Sequence, residues 1–253
     1  MKTIKKDNLS VKIEGTNEAM GALAAREAAE YLRGLMQGKG EVNIVFAAAP
    51  SQDTFLAALL KEGVDWARVN AMHMDEYIGL PADAPQGFGN FLSNRIFSKA
   101  PFKSVSYIRD CGASAGEICE NYAKILADNP PDVVFMGIGE NAHIAFNDPA
   151  FAKFDDPETV KVVELDDVCR NQQVNDGCFA RIGDVPKTAI TLTIPALMSA
   201  KRIFCMVPRA TKANAVKSVL TGDITETCPA SILRRHPAAT MYCDAESIAG
   251  VGA

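Results

Sequence analysis

The sequence predicts a single α/β domain with three layers, in which a mostly parallel, Rossmann-like sheet lies between two layers of helices. Short apolar runs alternate along the chain with stretches of helical periodicity, and this alternation is typical of parallel sheets built from strand–helix–strand units. The run Val133-Val134-Phe135-Met136 is apolar at every position, which indicates a strand buried on both faces. No linker or internal repeat divides the chain, so we expect one domain over residues 1–253.

The predicted strands are apolar runs bounded by turn residues. In chain order they are residues 10–14, 42–49, 67–74, 104–108, 133–136, 160–165, 189–194, 202–208 and 239–243. The predicted helices are residues 17–37, a segment opening at 50–53, then 90–98, 113–127, a short piece ending at 200, 210–220 and 230–235. Residues 78–88 and 149–158 are predicted loops, and residues 166–177 a polar turn or short helix.

The first predicted helix covers residues 17–37. Asn17 is a suitable N-cap residue, and the apolar side chains that follow it recur at helical spacing and form one stripe. The stripe ends before Lys39-Gly40, where we expect the helix to stop.

Composition excludes several classes of function. The chain has 253 residues, of which 48% are hydrophobic and 23% charged, and its net charge is −5 with a pI of about 5.3. This is an ordinary globular composition, and it lacks the basic footprint of a protein that binds nucleic acid or an anionic membrane. An anionic substrate therefore needs a local cluster of donors.

The cysteines and histidines indicate where the protein is located and whether it binds a metal. The seven cysteines are scattered without a CxxC motif, which predicts reduced thiols, mostly in the core, of a cytoplasmic protein. No apolar run approaches ~20 residues and the N-terminus has no apolar signal core, so we expect no membrane span and no signal peptide. His73, His143 and His236 are the only histidines, and no pair has ligand spacing, so no metal is predicted.

One stretch, residues 132–150 (DVVFMGIGENAHIAFNDPA), concentrates proton-handling groups after a buried strand. Gly137 and Gly139 allow a tight turn or a close approach to a ligand. Glu140, Asn141, His143, Asn147 and Asp148 follow directly. In open α/β sheets, sites collect beyond the carboxyl ends of the strands, so this stretch is a candidate site; the alternative is a polar turn with an incidental histidine.

Three other polar groups also follow strands. Ser51 lies in the turn after residues 42–49, where free backbone N–H groups could bind an anion or Ser51 could simply cap the next helix. Asp75-Glu76 follows residues 67–74, and adjacent carboxylates there could instead form a solvated turn. Lys212 follows residues 202–208. Because parallel strands end at one edge, we expect Ser51, Asp75, His143 and Lys212 to line one crevice.

These residues resemble the glucosamine-6-phosphate deaminase family, within the wider group of sugar-phosphate isomerases and lactonases. MDEYIGL at 74–80 resembles the family's base-bearing motif, and GIGENAHIAFNDPA at 137–150 its ring-opening motif. ATKA at 210–213 and PASILRRHP at 229–237 are similar to its later segments, so the resemblance spans about residues 18 to 245. The AFNDP sequence after the histidine favours the deaminases over the phosphogluconolactonases.

The chain departs from the family pattern at several positions. The family usually has a carboxylate where this chain has Asn141, Gly where it has Ala142 and Glu where it has Asp148. Its phosphate loop is normally rich in Gly and Thr, whereas here it reads AAAPSQDT and keeps Ser51 in register, followed by Gln52. For the family's second phosphate arginine, Arg170 is the nearest candidate.

The resemblance implies isomerisation and deamination of an amino-hexose 6-phosphate to a ketohexose 6-phosphate and ammonia. It assigns ring opening to His143, with Asp148 or Asn141 fixing its tautomer, and removal of the C2 proton to Asp75. Ser51, Gln52, Glu76, Arg170, Lys212 and the two glycines Gly137 and Gly139 are the implied substrate-binding residues. The ligand is a small sugar phosphate, and no organic cofactor and no metal are implied.

Two alternatives stay open. One is a different reaction on a similar substrate: a plain sugar-phosphate isomerase or a lactonase of the 6-phosphogluconolactonase kind. The other is a sugar-phosphate sensor without turnover, for which the loss of a carboxylate at Asn141 and of the glycine-rich loop would be typical. The sequence does not determine the sugar epimer or an allosteric site, and it leaves open whether the chain forms a homo-oligomer.

Overall fold

Two sheets organise the computed structural model, which describes residues 1–251. The strands are β1 (Lys2–Lys6), β2 (Leu9–Ile13), β3 (Val42–Phe46), β4 (Val69–His73), β5 (Asp75–Tyr77), β6 (Ser104–Ser106), β7 (Val133–Met136), β8 (Val160–Glu164), β9 (Thr188–Leu192), β10 (Arg202–Val207) and β11 (Ala239–Cys243). Eight of them form the larger sheet, in the order β1-β2-β11-β10-β7-β3-β4-β6. Every pairing in it is parallel except β1 with β2, as the alternation of strands and helices predicts.

Seven α-helices connect these strands within the described residues. They are α1 (Asn17–Gly38), α2 (Asp53–Leu59), α3 (Phe88–Leu92), α4 (Ala115–Asp128), α5 (Asp167–Asn175), α6 (Ile194–Met198) and α7 (Ala213–Thr221). Single 3₁₀ turns precede α2 at Pro50–Gln52 and α7 at Ala210–Lys212, and a longer one covers Pro229–Arg235.

The helices cover both faces of the larger sheet. All five residues of β3 are buried, and because successive side chains of a strand point to opposite faces, they divide between two cores. Ile44 and Phe46 pack in the core shared with α1 and α2, whereas Val45 packs in the core shared with α4 and α7. The three-layer αβα arrangement predicted from the sequence is therefore confirmed.

The three remaining strands form a separate antiparallel sheet that the sequence analysis did not predict. Its order is β5-β9-β8, with Asp75 opposite Thr191 and Val162 opposite Ile190. The alternative in which Asp75 and Glu76 form a solvated turn is therefore wrong, because both belong to a short, buried strand. Along β8, Val160 and Val163 are buried and Val162 is exposed. Because residues 160 and 163 point to opposite faces of the strand, each face is covered only in part.

Several element boundaries differ from the prediction for local reasons. Thr16, not Asn17, caps α1, since its hydroxyl accepts a hydrogen bond from the Ala19 amide at 3.2 Å. β3 ends at Phe46, and residues 47–49 lead into the next turn without pairing as a strand. β1 was missed; it is a lysine-rich edge strand, a composition that protects an open sheet edge.

The state of the cysteines and the length of the helices can be compared with the sequence predictions. All seven cysteines are free thiols; Cys169, Cys205 and Cys243 are buried, and the other four are half-buried. Three of the seven are thus in the core, which is fewer than the majority expected from the sequence. No helix among residues 1–251 is long and apolar enough to cross a bilayer.

Candidate active site

Four strands of the larger sheet lead into one cleft at its carboxyl edge. Ser51 follows β3, Asp75 lies just beyond β4, His143 is on the segment after β7, and Lys212 follows β10; all four line the cleft. The cleft contains about 580 Å³ of empty space, counting its open mouth. The structure thus brings together the four side chains that share strand-end positions in the sequence, while their chemical roles remain predictions.

The segment after β7 folds into a tight turn that presents His143. The Gly139 amide donates to the His143 carbonyl at 2.9 Å, and the Ala142 amide donates to the Gly139 carbonyl at 3.0 Å. Ala142 and Ala145 have φ of 65° and 49°, values near the left-handed helical region that allow the chain to reverse direction twice within a few residues. The imidazole faces the cleft from a loop that these backbone hydrogen bonds hold in place.

His143 and Asp148 form a close pair. Nδ1 of the imidazole lies 2.9 Å from Oδ1 of the carboxylate, which is almost fully buried, although the N–H direction is not that of an aligned hydrogen bond. Burial raises the pKa of the Asp148 carboxyl, but contacts with His143 and Asn141 outweigh it and hold the pKa below its usual range. Asp148 is therefore an anion at neutral pH, which favours a proton on the facing imidazole nitrogen.

Asn141 supports this carboxylate and does not contact the imidazole ring. Its Nδ2 donates to Oδ1 of Asp148 at 3.0 Å, and its Oδ1 accepts from the His143 backbone amide at 3.1 Å. Of the two predicted tautomer-fixing residues, only Asp148 approaches the ring, because the turn at 139–143 directs the Asn141 side chain toward the carboxylate.

Asp75 and Glu76 face opposite ways, as neighbours on a strand must. Asp75 lines the cleft, where burial first and the nearby charge of Glu76 second raise the pKa of its carboxyl well above the usual range. The Glu76 carboxylate instead accepts hydrogen bonds from the amides of Tyr77, Phe88 and Gly89, at 2.8 to 3.0 Å. Glu76 was predicted to bind substrate, but the structure directs it to the start of α3 and away from this cleft.

Lys212 brings a cation into the cleft without a partner. It is 4% exposed, and no carboxylate among residues 1–251 lies within salt-bridge distance of its ammonium group. Burial lowers the pKa of this amine. A buried ammonium group that lacks a counter-ion is a natural position for an anionic ligand.

Ser51 and Gln52 form the opposite wall. Neither the 3₁₀ turn nor α2 is capped by a side chain, so the alternative in which Ser51 serves only as an N-cap is wrong. The Ser51 hydroxyl accepts a hydrogen bond from Nε2 of Gln52 at 3.2 Å. Gln52 is 1% exposed, and its Oε1 has no hydrogen-bond partner in the described part of the chain. It was predicted to bind substrate, but the structure places it where it supports Ser51.

Gly137 and Gly139 both lie where neighbouring side chains leave little room for a Cβ. A Cβ at Gly139 would lie 2.2 to 2.5 Å from three atoms of the His143 ring, and one at Gly137 would lie 3.1 Å from Nε2 of Gln52 and 3.3 Å from Oγ of Ser51. A side chain at Gly139 would therefore displace the imidazole.

Arg170 does not reach the cleft. It lies in α5, where its Nη2 donates to the carbonyls of Ile182 and Val185 and its Nη1 contacts Asp167. The prediction of Arg170 as a phosphate ligand is not supported by this placement, because the helix turns the guanidinium toward the loop before β9. The α5 side chains that do line the cleft are Gln172, Gln173 and Asp176, which the sequence analysis treated only as a polar segment.

A thiol completes the surroundings of the histidine pair. Donor atoms of His143, Asp148 and Cys169 lie within 4.8 Å of one another, a convergence across two segments that histidine spacing alone does not indicate. Burial and the charges of Asp148 and Asp166 raise the pKa of the Cys169 thiol far above its usual range. The thiol is therefore neutral beside the His143–Asp148 pair.

The chain is similar to known proteins in both sequence and structure. The model of the family described as glucosamine-6-phosphate isomerases/6-phosphogluconolactonase matches residues 15–242. Glucosamine-6-phosphate deaminases of Bacillus cereus (strain G9842) and Bacillus thuringiensis (strain Al Hakam) are each 38% identical over 192 residues, which is 76% of this chain and 71% of theirs.

Solved structures give the same picture of the fold. A monomeric glucosamine-6-phosphate deaminase superposes with a TM-score of 0.85 at 27% identity, over 95% of this chain and 99% of that one. A 6-phosphogluconolactonase from Thermotoga maritima superposes with a TM-score of 0.75 over 92% of this chain and 99% of that one. Its identity is 18%, so it supports the fold alone.

Proposed function

The chain belongs to the family of glucosamine-6-phosphate isomerases and 6-phosphogluconolactonases, and on this premise we propose that it is a glucosamine-6-phosphate deaminase. In this reaction an amino-hexose 6-phosphate is isomerised and loses ammonia, and a ketohexose 6-phosphate is formed. The whole chain, residues 1–253, would act as one domain.

The observation that carries the proposal is the pairing of two proton-transfer groups across one cleft. Asp75 is a buried carboxyl with a raised pKa, and His143 is an imidazole backed by the carboxylate of Asp148. Isomerisation of a closed sugar ring needs two separate proton transfers, one to open the ring and one to move a proton from C2 to C1. Groups with different environments can divide these tasks.

His143 opens the ring in the proposed scheme. It accepts the proton of the C1 hydroxyl and returns a proton to the ring oxygen as the C1–O5 bond breaks, which leaves an open-chain aldehyde. Asp148 holds the proton on Nδ1, so that the nitrogen facing the sugar is free to accept one. This contact aligns when substrate binds, as catalytic hydrogen bonds of free enzymes commonly do.

Asp75 removes the C2 proton. The electron pair of the C2–H bond forms a C1=C2 double bond, and the C1 oxygen takes up a proton, which gives an enolamine. A proton then returns to C1, the C2 imine forms, and water releases ammonia to leave the ketone. The raised pKa of the Asp75 carboxyl makes it a stronger base than an ordinary aspartate, whose pKa is ~3.9.

The phosphate binds at the end of the cleft formed by Ser51 and Lys212. The ammonium of Lys212 supplies the missing counter-charge and the Ser51 hydroxyl supplies a hydrogen bond. Binding energy from the phosphate positions C1 and C2 against Asp75 and His143. The small-molecule sugar phosphate is the partner in this proposal; a cytoplasmic location and self-association stay predictions, the latter to be measured by sedimentation at assay concentrations.

The test is incubation of the purified chain with glucosamine 6-phosphate and galactosamine 6-phosphate, with ammonia and ketose phosphate measured separately. We expect equal amounts of both products from one of these sugars. Ketose phosphate without ammonia would identify a plain isomerase, and hydrolysis of 6-phosphogluconolactone a lactonase. Binding without any product would identify a sensor, and each of these three results would overturn the proposal.

A further inference from the structure

Arg209 has a backbone conformation that residues with a side chain rarely adopt. Its φ is 82° and its ψ is 148°, in a region populated almost only by glycine because a Cβ there crowds the backbone. The other non-glycine residues with positive φ among residues 1–251 are Asp7, Ala142 and Ala145, at 49° to 65°, near the left-handed helical values that such residues tolerate better. Strain of this kind concentrates at functional sites, where the surrounding structure maintains it.

The backbone of Arg209 is held in place from two sides. Its amide donates to Oδ2 of Asp244 at 2.9 Å, and its carbonyl accepts from the Lys212 amide at 3.1 Å. Arg209 therefore begins the turn that delivers Lys212 to the cleft. The strained residue and the unpaired cation belong to the same short segment after β10.

Arg209 does not itself line the cleft, but its guanidinium lies beside the end that Ser51 and Asp176 form. Nη2 donates to the Pro50 carbonyl at 3.3 Å, next to Ser51, and Nη1 lies 3.5 Å from Oδ1 of Asp176. Ser51 and Asp176 both line the cleft. Arg209 thus joins the turn after β3 to the end of α5, around the position proposed for the phosphate.

Two cations and one carboxylate lie in or beside this end of the cleft, Lys212 and Asp176 in its wall and Arg209 next to them. Burial lowers the pKa of Lys212 most, the charge of Asp176 opposes that effect, and the charge of Arg209 adds to it. Asp176 also accepts a hydrogen bond from Gln172 at 3.4 Å. In this arrangement the Asp176 carboxylate offsets part of the positive charge that Arg209 and Lys212 bring together.

We propose that Arg209 is a second phosphate-binding cation of the cleft, paired with Asp176 in the free protein and transferred to the phosphate of the substrate on binding. This rests on the proposed function, since it assumes a sugar-phosphate ligand. A phosphate carries a charge of about −1.5 to −2 and three acceptor oxygens, so it binds a guanidinium fork more strongly than one carboxylate does. The strained backbone at 209 is the cost in stability of holding a cation at this position.

The alternative is that Arg209 only ties α5 to the turn after β3. The two roles predict different results for the same substitutions. If the Arg209–Asp176 contact is only structural, removing either partner breaks it. Arg209→Gly and Asp176→Asn would then both destabilise the fold and weaken binding. If Arg209 binds the phosphate and Asp176 competes for the guanidinium, the two changes have opposite effects. Arg209→Gly weakens phosphate binding, and Asp176→Asn strengthens it.

The experiment measures the affinity of four variants for inorganic phosphate and for glucosamine 6-phosphate by calorimetry, together with their melting temperatures. Arg209→Gly should weaken both ligands at least about 10-fold, as expected for a lost charge-assisted hydrogen bond, and should raise the melting temperature because glycine relieves the strain. Arg209→Ala should weaken binding equally but melt below the glycine variant. Asp176→Asn should tighten inorganic phosphate, and the control Arg181→Ala, which removes an exposed arginine paired with Asp184, should change neither affinity.

Unchanged affinity in Arg209→Gly, or weaker phosphate binding in Asp176→Asn, would overturn the inference. These results are distinct from failure of the proposed function. If the unmodified chain releases ammonia from glucosamine 6-phosphate while Arg209→Gly binds normally, only the role of Arg209 is wrong. If the unmodified chain binds neither ligand, both proposals are wrong.

Discussion

The side-chain amide of Asn141 donates a hydrogen bond of 3.0 Å to Oδ1 of Asp148. The same oxygen lies 2.9 Å from Nδ1 of His143, so one carboxylate oxygen serves both neighbours. The family resemblance suggests a carboxylate at position 141, and its absence could be taken for lost catalysis. The geometry gives a different interpretation, because an amide is the group that can donate to Asp148 at this position.

Asn141→Asp should therefore lower activity, although it restores the family's residue type. Two carboxylates would face each other at about hydrogen-bond distance, which raises the pKa of one of them and removes a donor from Asp148. We expect kcat to fall about 10-fold or more, from a lost hydrogen bond to a charged group of roughly 1.5–3 kcal/mol. Steady-state kinetics would measure this, with Asn171→Asp on the exposed face of α5 as the control. Activity equal to or above that of the unmodified chain would mean that a carboxylate at 141 is preferred.

Asp75→Asn tests the assignment of the base. The change keeps the size and most of the hydrogen bonding of the side chain but removes the group that accepts the C2 proton. We expect kcat to fall at least ~10²-fold, the lower end for loss of a general base, with binding of the sugar phosphate retained. Exchange of the C2 proton with deuterium, followed by NMR, would report the step directly. Full activity in this variant would place the base elsewhere in the cleft.

The same substitution should stabilise the fold, and the effect should depend on pH. The pKa of Asp75 is raised by burial and then by Glu76, so the folded state holds this proton more tightly than the unfolded state does. The contribution of Asp75 to the free energy of unfolding is then greatest below its unfolded pKa of ~3.9, and it is lost as pH rises through the folded pKa. Asp75→Asn removes this loss, so its free energy of unfolding should exceed that of the unmodified chain at pH 8 by about 0.5–2 kcal/mol.

Denaturant titrations at pH 4 and pH 8 would check this prediction. The difference between the two proteins should be larger at pH 8 than at pH 4, because Asp75 is ionised to a greater extent there. A difference that is equal at both values would show that the carboxyl does not bind its proton more tightly in the folded state.

Gly139→Ala should disable His143 without unfolding the chain. The added Cβ would approach the imidazole ring to 2.2–2.5 Å, so the ring must leave its position beside Asp148. We expect kcat to fall ~10²-fold, comparable to loss of an acid–base group. The control is Gly34→Ala in α1, where nothing lies within 4 Å of the new Cβ. That change should leave kcat unaltered and stabilise the helix by roughly 0.5–1 kcal/mol; equal kinetics in both variants would contradict the role of Gly139.

Lys212→Met should weaken phosphate binding while raising stability. Burial lowers the pKa of the Lys212 amine, so its cost in stability is fully present below the folded pKa and disappears as pH rises through the unfolded value of ~10.4. Methionine fills a similar volume without that charge. We expect KM for the phosphorylated sugar to rise about 10- to 100-fold and the melting temperature to rise as well. A lower melting temperature with unchanged KM would show that the lysine has a structural role only.

Much of this molecule could be predicted from the sequence because the signals are local. Apolar runs and helical stripes depend on the spacing of neighbouring residues, so most strands and helices around the larger sheet, with β1 as an exception, and its three layers follow from patterns within about ten to twenty residues. The meeting of Ser51, Asp75, His143 and Lys212 follows from one further rule, that parallel strands end at a common edge.

Only the tertiary structure decided where individual side chains point. Asp75 and Glu76 are adjacent in sequence, but pairing of Asp75 with Thr191 in the small sheet sets their faces, and that pairing depends on the path of a distant segment. Arg170 was the expected phosphate arginine, whereas the guanidinium that contacts the cleft residue Asp176 belongs to Arg209. Its strained φ results from contacts with residues far along the chain. Periodicity describes which residues are buried, but the direction of a polar group depends on long-range hydrogen bonds that no local pattern contains.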